Sequence, residues 1–304
     1  MIATSCCPAS PQRQPRRPVN PPPNRLDFEP VTTTKPKGVV YMLHGWAQNV
    51  HVFSNRARKL TKRLNKAGYK VVFLQGPHRL PPVEGTLTVN ADQHNNEYES
   101  AKDNTVFSRE YAYAWFFYGD AGSSEPAVLE PSPEGDFRGM DISLSFLQSE
   151  LKADRVKFLE TNHDGGPPPS FLLGFSQGAV LVHKVATLAC ERSDVTENHN
   201  AFEAIQKCVL VSGFSFTAWI QREDDANNDT RRTRTTIMPS LHVVGNKDSR
   251  VSPHLTMDLY NLEPCFGGGE QGENTKILWE HDRGHVLPQD LKFCNRLLEF
   301  LATT

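Results

Sequence analysis

The apolar run Ser170-Phe171-Leu172-Leu173 leads directly into Gly174-Phe175-Ser176-Gln177-Gly178, and then into a proline-free stretch in which Leu181, Val185 and Leu188 recur at helical spacing. A strand, a sharp turn and a helix are therefore demanded within one short span. Such a turn crowds the atoms on either side of its central residue, and glycines at the flanks remove the Cβ atoms that would clash. The serine between them is held in a strained backbone conformation with its hydroxyl raised above the sheet, the arrangement of a nucleophile elbow. A Gly-x-Ser-x-Gly pentapeptide alone is a weak signal, because glycine and serine are common in turns. The strand before it and the helix after it give it meaning.

The chain around this unit alternates in the same way. Apolar strands are expected at 38–43, 70–74, 170–173, 207–212, 240–245 and 276–280. Helical stripes run through Phe53, Ala57, Leu60 and Leu64, through Met140, Leu144, Leu147 and Leu151, and through Leu291, Cys294, Leu298 and Leu301. Strands alternating with helices predict an α/β fold, with a mostly parallel central sheet and helices on both faces. We read 37–304 as one such domain. Residues 1–36 hold nine of the 22 prolines, scattered arginines and no acidic residue before Asp27, so they are expected to form a disordered Pro/Arg-rich tail. The polar stretches 84–109, 121–135, 161–169, 221–236 and 264–275 are expected as surface excursions, the first of them as part of a lid.

A serine hydroxyl is a poor nucleophile until a base takes its proton, and an acid must orient that base; in triads built on such an elbow the order along the chain is Ser, Asp or Glu, His. Asp248 falls in the turn Asn246-Lys247-Asp248 after the strand at 240–245, and His285 in the loop before the last helix. A plain turn-forming role for Asp248 is the alternative. Asp258 and Asp282 are rival acids; the first falls in a helical stretch and the second is too near His285 in sequence to sit behind its ring. The backbone N–H groups of Trp46, in Leu43-His44-Gly45-Trp46, and of Gln177 are the expected oxyanion donors. His281 and His285 have the i, i+4 spacing of a zinc pair, but Gly284 and Pro288 break the helix such a pair needs, so no metal is expected.

Composition narrows the class further. A formal net charge of −2 argues against a nucleic-acid binder, and no apolar run is long enough for a transmembrane helix. Six cysteines show neither CxxC spacing nor the density of a disulfide scaffold, which points to a reducing compartment, the cytoplasm, with the nucleus as an alternative. The start of the chain has no apolar segment of secretory type; its arginines leave an organellar transit peptide open.

Leu43-His44-Gly45-Trp46 with Gln48, Gln75-Gly76-Pro77-His78, Tyr113-Ala114-Trp115-Phe116, Gly174-Phe175-Ser176-Gln177-Gly178-Ala179, Ser212-Gly213-Phe214, Gly245-Asn246-Lys247-Asp248 and Gly284-His285 occur in an order and spacing that resemble the FSH family of serine hydrolases, of the α/β-hydrolase fold. The resemblance spans about 37–301, and it implies a cofactor-free esterase or thioesterase with Ser176, Asp248 and His285 as its triad. Asn246 departs from the pattern, which has an acidic residue there. The implied partner is a small-molecule acyl ester or thioester. Trp115, Phe116 and Phe214 are the expected acyl-binding wall, with Trp46, Leu80, Pro81, Pro82 and Phe216 nearby in the motif loops, so medium- to long-chain acyl groups are expected. Core packing is the alternative role for Trp115 and Phe116. A non-catalytic binding module on the same scaffold, and an amidase or acyltransferase using the same triad, remain the other readings.

Overall fold

The computed structural model describes residues 23–31, 35–81, 111–117, 137–161, 166–190, 201–215, 238–261 and 276–303. Its strands are β1 (Arg25–Phe28), β2 (Gly38–Leu43), β3 (Tyr69–Leu74), β4 (His78–Arg79), β5 (Tyr113–Ala114), β6 (Ser170–Phe175), β7 (Ile205–Val211), β8 (Ser240–Gly245) and β9 (Lys276–His281). Seven of them form one sheet in the order β1-β3-β2-β6-β7-β8-β9, with β4 and β5 paired separately. All neighbours in the large sheet are parallel except β1 and β3. The helices are α1 (Val50–Arg56), α2 (Arg58–Lys66), α3 (Met140–Thr161), α4 (Gln177–Cys190), α5 (Pro253–Asn261) and α6 (Leu291–Ala302).

Strand residues are apolar on both faces because both are covered. In β2, Val39, Tyr41 and Leu43 face a layer built with Leu147 and Leu151 of α3, Val182 and Val185 of α4 and Leu259 of α5. Val40 and Met42 face the opposite layer, with Phe53 of α1, Leu60 and Leu64 of α2 and Phe293 and Leu297 of α6. Chain order reverses at β2: the crossover to β3 goes one way along the sheet, and β6 to β9 run the other way. Ligands in open α/β sheets bind at such a switch point, beyond the carboxyl ends of the strands. Here those ends carry His44-Gly45-Trp46 and the elbow.

The expected stripes are largely buried, with two differences. Phe53, Ala57, Leu60 and Leu64 are all buried, but they lie on two short helices that meet at Ala57. In α6 the buried positions are Phe293, Cys294, Leu297, Phe300 and Leu301, while Leu291, the first residue after the Asp290 cap, is exposed at the helix end.

Strand β1 corrects the expectation that all of 1–36 is disordered. Arg25 pairs with Leu74 and Phe28 with Val71, and the Arg25 guanidinium bridges Glu150 and Asp154 of α3 at 2.9 and 2.8 Å. Local composition hid this, because the ordering contacts come from distant parts of the chain, the pairing strand β3 and the acids of α3. The remaining expectations for the tail, for 162–165 and for the stretches 84–109, 121–135, 221–236 and 264–275, as well as for Pro82 and Phe216, fall outside the described residues. No helix among the described residues is long and apolar enough to cross a membrane.

Candidate active site

Ser176 sits between the end of β6 and the start of α4 with φ of +54°, a left-handed conformation that costs energy for any residue carrying a Cβ. The backbone is held there from both sides. The Ser176 N–H donates to the Val211 carbonyl of β7 at 2.8 Å, and the Ser176 carbonyl accepts from Ala179 N–H at 2.9 Å. The flanking glycines are sterically required: a Cβ on Gly174 would lie 2.2 Å from the Gly178 carbonyl oxygen, and one on Gly178 would lie 2.4 Å from the Leu43 carbonyl oxygen. The second contact seats the start of α4 against the end of β2.

Asp248 and His285 meet. Their loops are joined by backbone bonds from Asn246 N–H to the His281 carbonyl at 2.8 Å and from Lys247 N–H to the Arg283 carbonyl at 3.1 Å. Asp248 Oδ2 lies 2.7 Å from His285 Nδ1, and Oδ1 accepts from the N–H groups of Arg250 and Val251, each at 2.9 Å. Burial by itself would raise the Asp248 carboxyl, but the bonds from His285, Val251 and Arg250 outweigh it and hold the group below its ordinary value. An ionised carboxylate only accepts, so Nδ1 of His285 carries a proton and donates it to Asp248. The His285 ring packs on Phe175, the residue before Ser176, with centroids 4.8 Å apart. Of the rival acids, Asp282 is exposed, and Asp258 is partly exposed on α5.

Gln177 opens α4, so its N–H belongs to the first-turn donors that have no acceptor within the helix. Its carboxamide does separate work: Oε1 accepts from Trp115 N–H at 2.8 Å, and Nε2 donates to the Phe116 carbonyl at 2.7 Å. The segment 111–117 is thereby docked on the elbow. It is also bound to the loop after β2, through Tyr113 N–H to the Gln48 carbonyl at 3.0 Å, Asn49 Nδ2 to the Tyr111 carbonyl at 2.9 Å and the Trp115 indole N–H to the His44 carbonyl at 2.8 Å. Ser143 Oγ donates to the Trp115 carbonyl.

These contacts change the reading of the aromatic run. Trp115 and Phe116 have no exposed surface and pack with Leu43 and Ala179 in one core layer, and Phe214 is only 2 % exposed. A side chain without accessible surface cannot wall an open acyl site, so Trp115 and Phe116 act here as a buttress joining the elbow to the β2 loop. Trp46, by contrast, is 38 % exposed.

The Gln177 side chain escaped the sequence reading, which treated Gln177 only as a backbone donor. Its clue was a long polar side chain opening the apolar helix Gly178-Ala179-Val180-Leu181-Val182, since a buried amide must find partners. The imidazole of His44 was also missed; it is fully buried, and no spacing rule marked it.

Comparison with known proteins gives the family and the fold. The family model described as serine hydrolase (FSH1) matches residues 33–297. The chain belongs to this family. Family of serine hydrolases 3 of Saccharomyces cerevisiae is 23% identical over 87% of this chain and 84% of its own, and Esterase OVCA2 of Danio rerio is 25% identical over 82% and 89%. Rhodanese-like domain-containing protein 6 of Arabidopsis thaliana is 26% identical over 88% of this chain, which spans 39% of that relative's length. Among solved structures, acyl-protein thioesterase 2 of Zea mays superposes with a TM-score of 0.53 at 18% identity, covering 91% of this chain and 99% of its own. Esterase PE8 gives 0.51 at 16% identity, covering 91% and 97%. The fold of this FSH1-family chain is the α/β-hydrolase fold.

Proposed function

We propose that this chain hydrolyses carboxylic esters or thioesters through an acyl-enzyme intermediate on Ser176. The observation that carries the reading is the left-handed Ser176 on its elbow together with a His285 that packs on the neighbouring Phe175 and whose Nδ1 is bonded to a buried, ionised Asp248. In the first half-reaction Ser176 Oγ bonds to the acyl carbon while its proton passes to His285 Nε2. The bond to the leaving oxygen or sulfur then breaks, and that atom takes the proton from Nε2. In the second, His285 takes a proton from water, whose oxygen bonds to the same carbon, and the Ser176 ester bond breaks with return of the proton to Oγ. The N–H groups of Trp46 and Gln177 are the proposed donors to the oxyanion in both steps. Removing one such donor costs about 3 kcal/mol of transition-state stabilisation.

A preference for medium or long acyl chains rests now on Trp46 and on the partly exposed Leu80, since Trp115 and Phe116 are enclosed. Each methylene buried against such surface is worth about 0.8 kcal/mol. The test is labelling by a fluorophosphonate together with turnover of p-nitrophenyl esters from acetyl to palmitoyl, for the parent protein and Ser176→Ala. Loss of both label and turnover in the variant, by about 10⁶-fold in rate, is expected. Label retained on Ser176→Ala would overturn the assignment. A rate maximum at acetyl would remove the acyl-length reading alone.

A further inference from the structure

The orientation of the Gly45–Trp46 peptide decides which way the Trp46 N–H points. Gly45 has no Cβ to restrict it, and Ala47, one residue past Trp46, is in the left-handed region with φ of +54°. Rotation of this peptide by half a turn, through ψ of Gly45 and φ of Trp46, would exchange the directions of its C=O and N–H. The peptide also lies at the nucleophile: a Cβ on Gly45 would be 3.2 Å from Cβ of Ser176. Whether the Trp46 N–H presents itself as a donor depends on what holds the Gly45 carbonyl.

The side chain of His44 holds it. Its Nδ1 lies 2.7 Å from the Gly45 carbonyl oxygen, and its Nε2 lies 2.9 Å from Gly76 N and 3.1 Å from Gln75 Nε2. These partners settle the tautomer. A backbone N–H can only donate, so Nε2 is an acceptor; Gln75 Oε1 is already taken by Val50 N–H at 3.0 Å, which leaves the Gln75 amide nitrogen facing the ring as a second donor. The ring proton is therefore on Nδ1, donated to Gly45. The ring is fully buried, and burial pushes its pKa down to about 4, against a smaller upward pull from the Gly45 carbonyl, so it is neutral at ordinary pH. The preceding peptide is held as well, through the Trp115 indole bond to the His44 carbonyl at 2.8 Å.

From this geometry we infer that His44 is a positioning residue for catalysis: its Nδ1–H, by fixing the Gly45 carbonyl on the side of the ring, turns the Trp46 N–H of the same trans peptide to the opposite side, where an acyl oxygen on Ser176 is received. The inference rests on the hydrolase reading of Ser176. It adds a named side chain to a part of the site otherwise made of backbone.

Two substitutions separate the halves of the imidazole. His44→Asn places an amide near the position of Nδ1 and keeps a donor for Gly45, whereas His44→Gln reaches the position of Nε2 and keeps an acceptor for Gly76 while losing that donor. With an ester substrate, His44→Gln is expected to lower kcat by roughly 10²- to 10³-fold, the loss seen when one oxyanion donor is removed, with KM little changed. His44→Asn should stay within about tenfold of the parent. Equal losses in the two variants, or a loss confined to KM, would overturn the inference. A measurement independent of activity covers the case in which either variant folds poorly: the ¹⁵N shifts of His44 in the unmodified protein should report a protonated Nδ1 and an unprotonated Nε2, and the reverse tautomer would also overturn it. Failure of fluorophosphonate labelling at Ser176 would instead strike the hydrolase reading, and the tautomer result would stand apart from it.

Discussion

Mild acid should destabilise this protein well before its carboxylates are protonated, because three buried histidines must remain neutral in the native state. His44 and His183 are fully buried with pKa values lowered to about 4 and about 3, in both cases chiefly by burial, and His242 is held well below its ordinary value by burial together with His183 and Lys276. A histidine whose pKa is depressed by folding contributes stability that is complete above about 6.5 and is lost as pH falls, since the unfolded chain takes up protons that the native state refuses. For one such residue, lowering the pH from 7.5 to 5 moves the balance toward the unfolded chain by about 2 kcal/mol, a figure that depends little on how far below 5 the native value lies. Three give roughly 6 kcal/mol, against a total stability of about 5–15 kcal/mol for an ordinary domain. Asp27 and Asp248, whose pKa values are lowered in the native state, lose their contributions only below the ordinary carboxylate range and do not affect this window. The assay is urea unfolding followed by circular dichroism at pH 7.5, 6.5, 5.5 and 5. His242→Phe should flatten the dependence near pH 5.5 by about 1.3 kcal/mol per pH unit. An unfolding free energy constant within about 1 kcal/mol from pH 7.5 to 5 would refute the reasoning.

Two further outcomes follow from the geometry. Asp248→Asn should lower kcat by about 10⁴-fold with the fold intact, because an amide no longer enforces the Nδ1–H tautomer of His285; Asp258→Asn and Asp282→Asn should have far smaller effects, and steady-state kinetics on the three variants would expose a wrong choice of acid. Gly178→Ala should destabilise the protein by roughly 1–3 kcal/mol or more through the clash with the Leu43 carbonyl and should disturb the elbow, lowering both the melting temperature and kcat; unchanged values for both would mean that α4 is not wedged against β2.

The parts of the fold legible in the sequence are those encoded by local pattern. Strands such as Gly38–Leu43 and Ser240–Gly245 are unbroken apolar runs bounded by turn residues, and they fall where expected. Ser176 was legible because the elbow needs glycine at fixed offsets, and the meeting of Asp248 with His285 because both follow strand ends on the same edge of a parallel sheet. What stayed hidden depends on distant partners. Arg25 orders β1 through α3, and Trp115 is enclosed because Gln177 and His44 bind its segment from two different crossovers. An aromatic run reads the same whether it lines a cleft or fills a core, and only packing decides.

Strand β1 bears on how the molecule behaves at high concentration. Without it, the outer side of Tyr69–Leu74, an almost wholly apolar strand, would present a row of unpaired N–H and C=O groups to any passing chain. Arg25 and Asp27 bring charge to that border, with Lys70 bridging Asp27 at 3.3 Å and Glu29 at 2.8 Å. A shortened protein starting at residue 37, where composition alone would place the domain boundary, would keep Ser176, Asp248 and His285 in place and yet expose a template for edge-to-edge association. Its losses would surface as precipitation and light scattering that grow with protein concentration, long before they surfaced as a change in the chemistry of each surviving monomer.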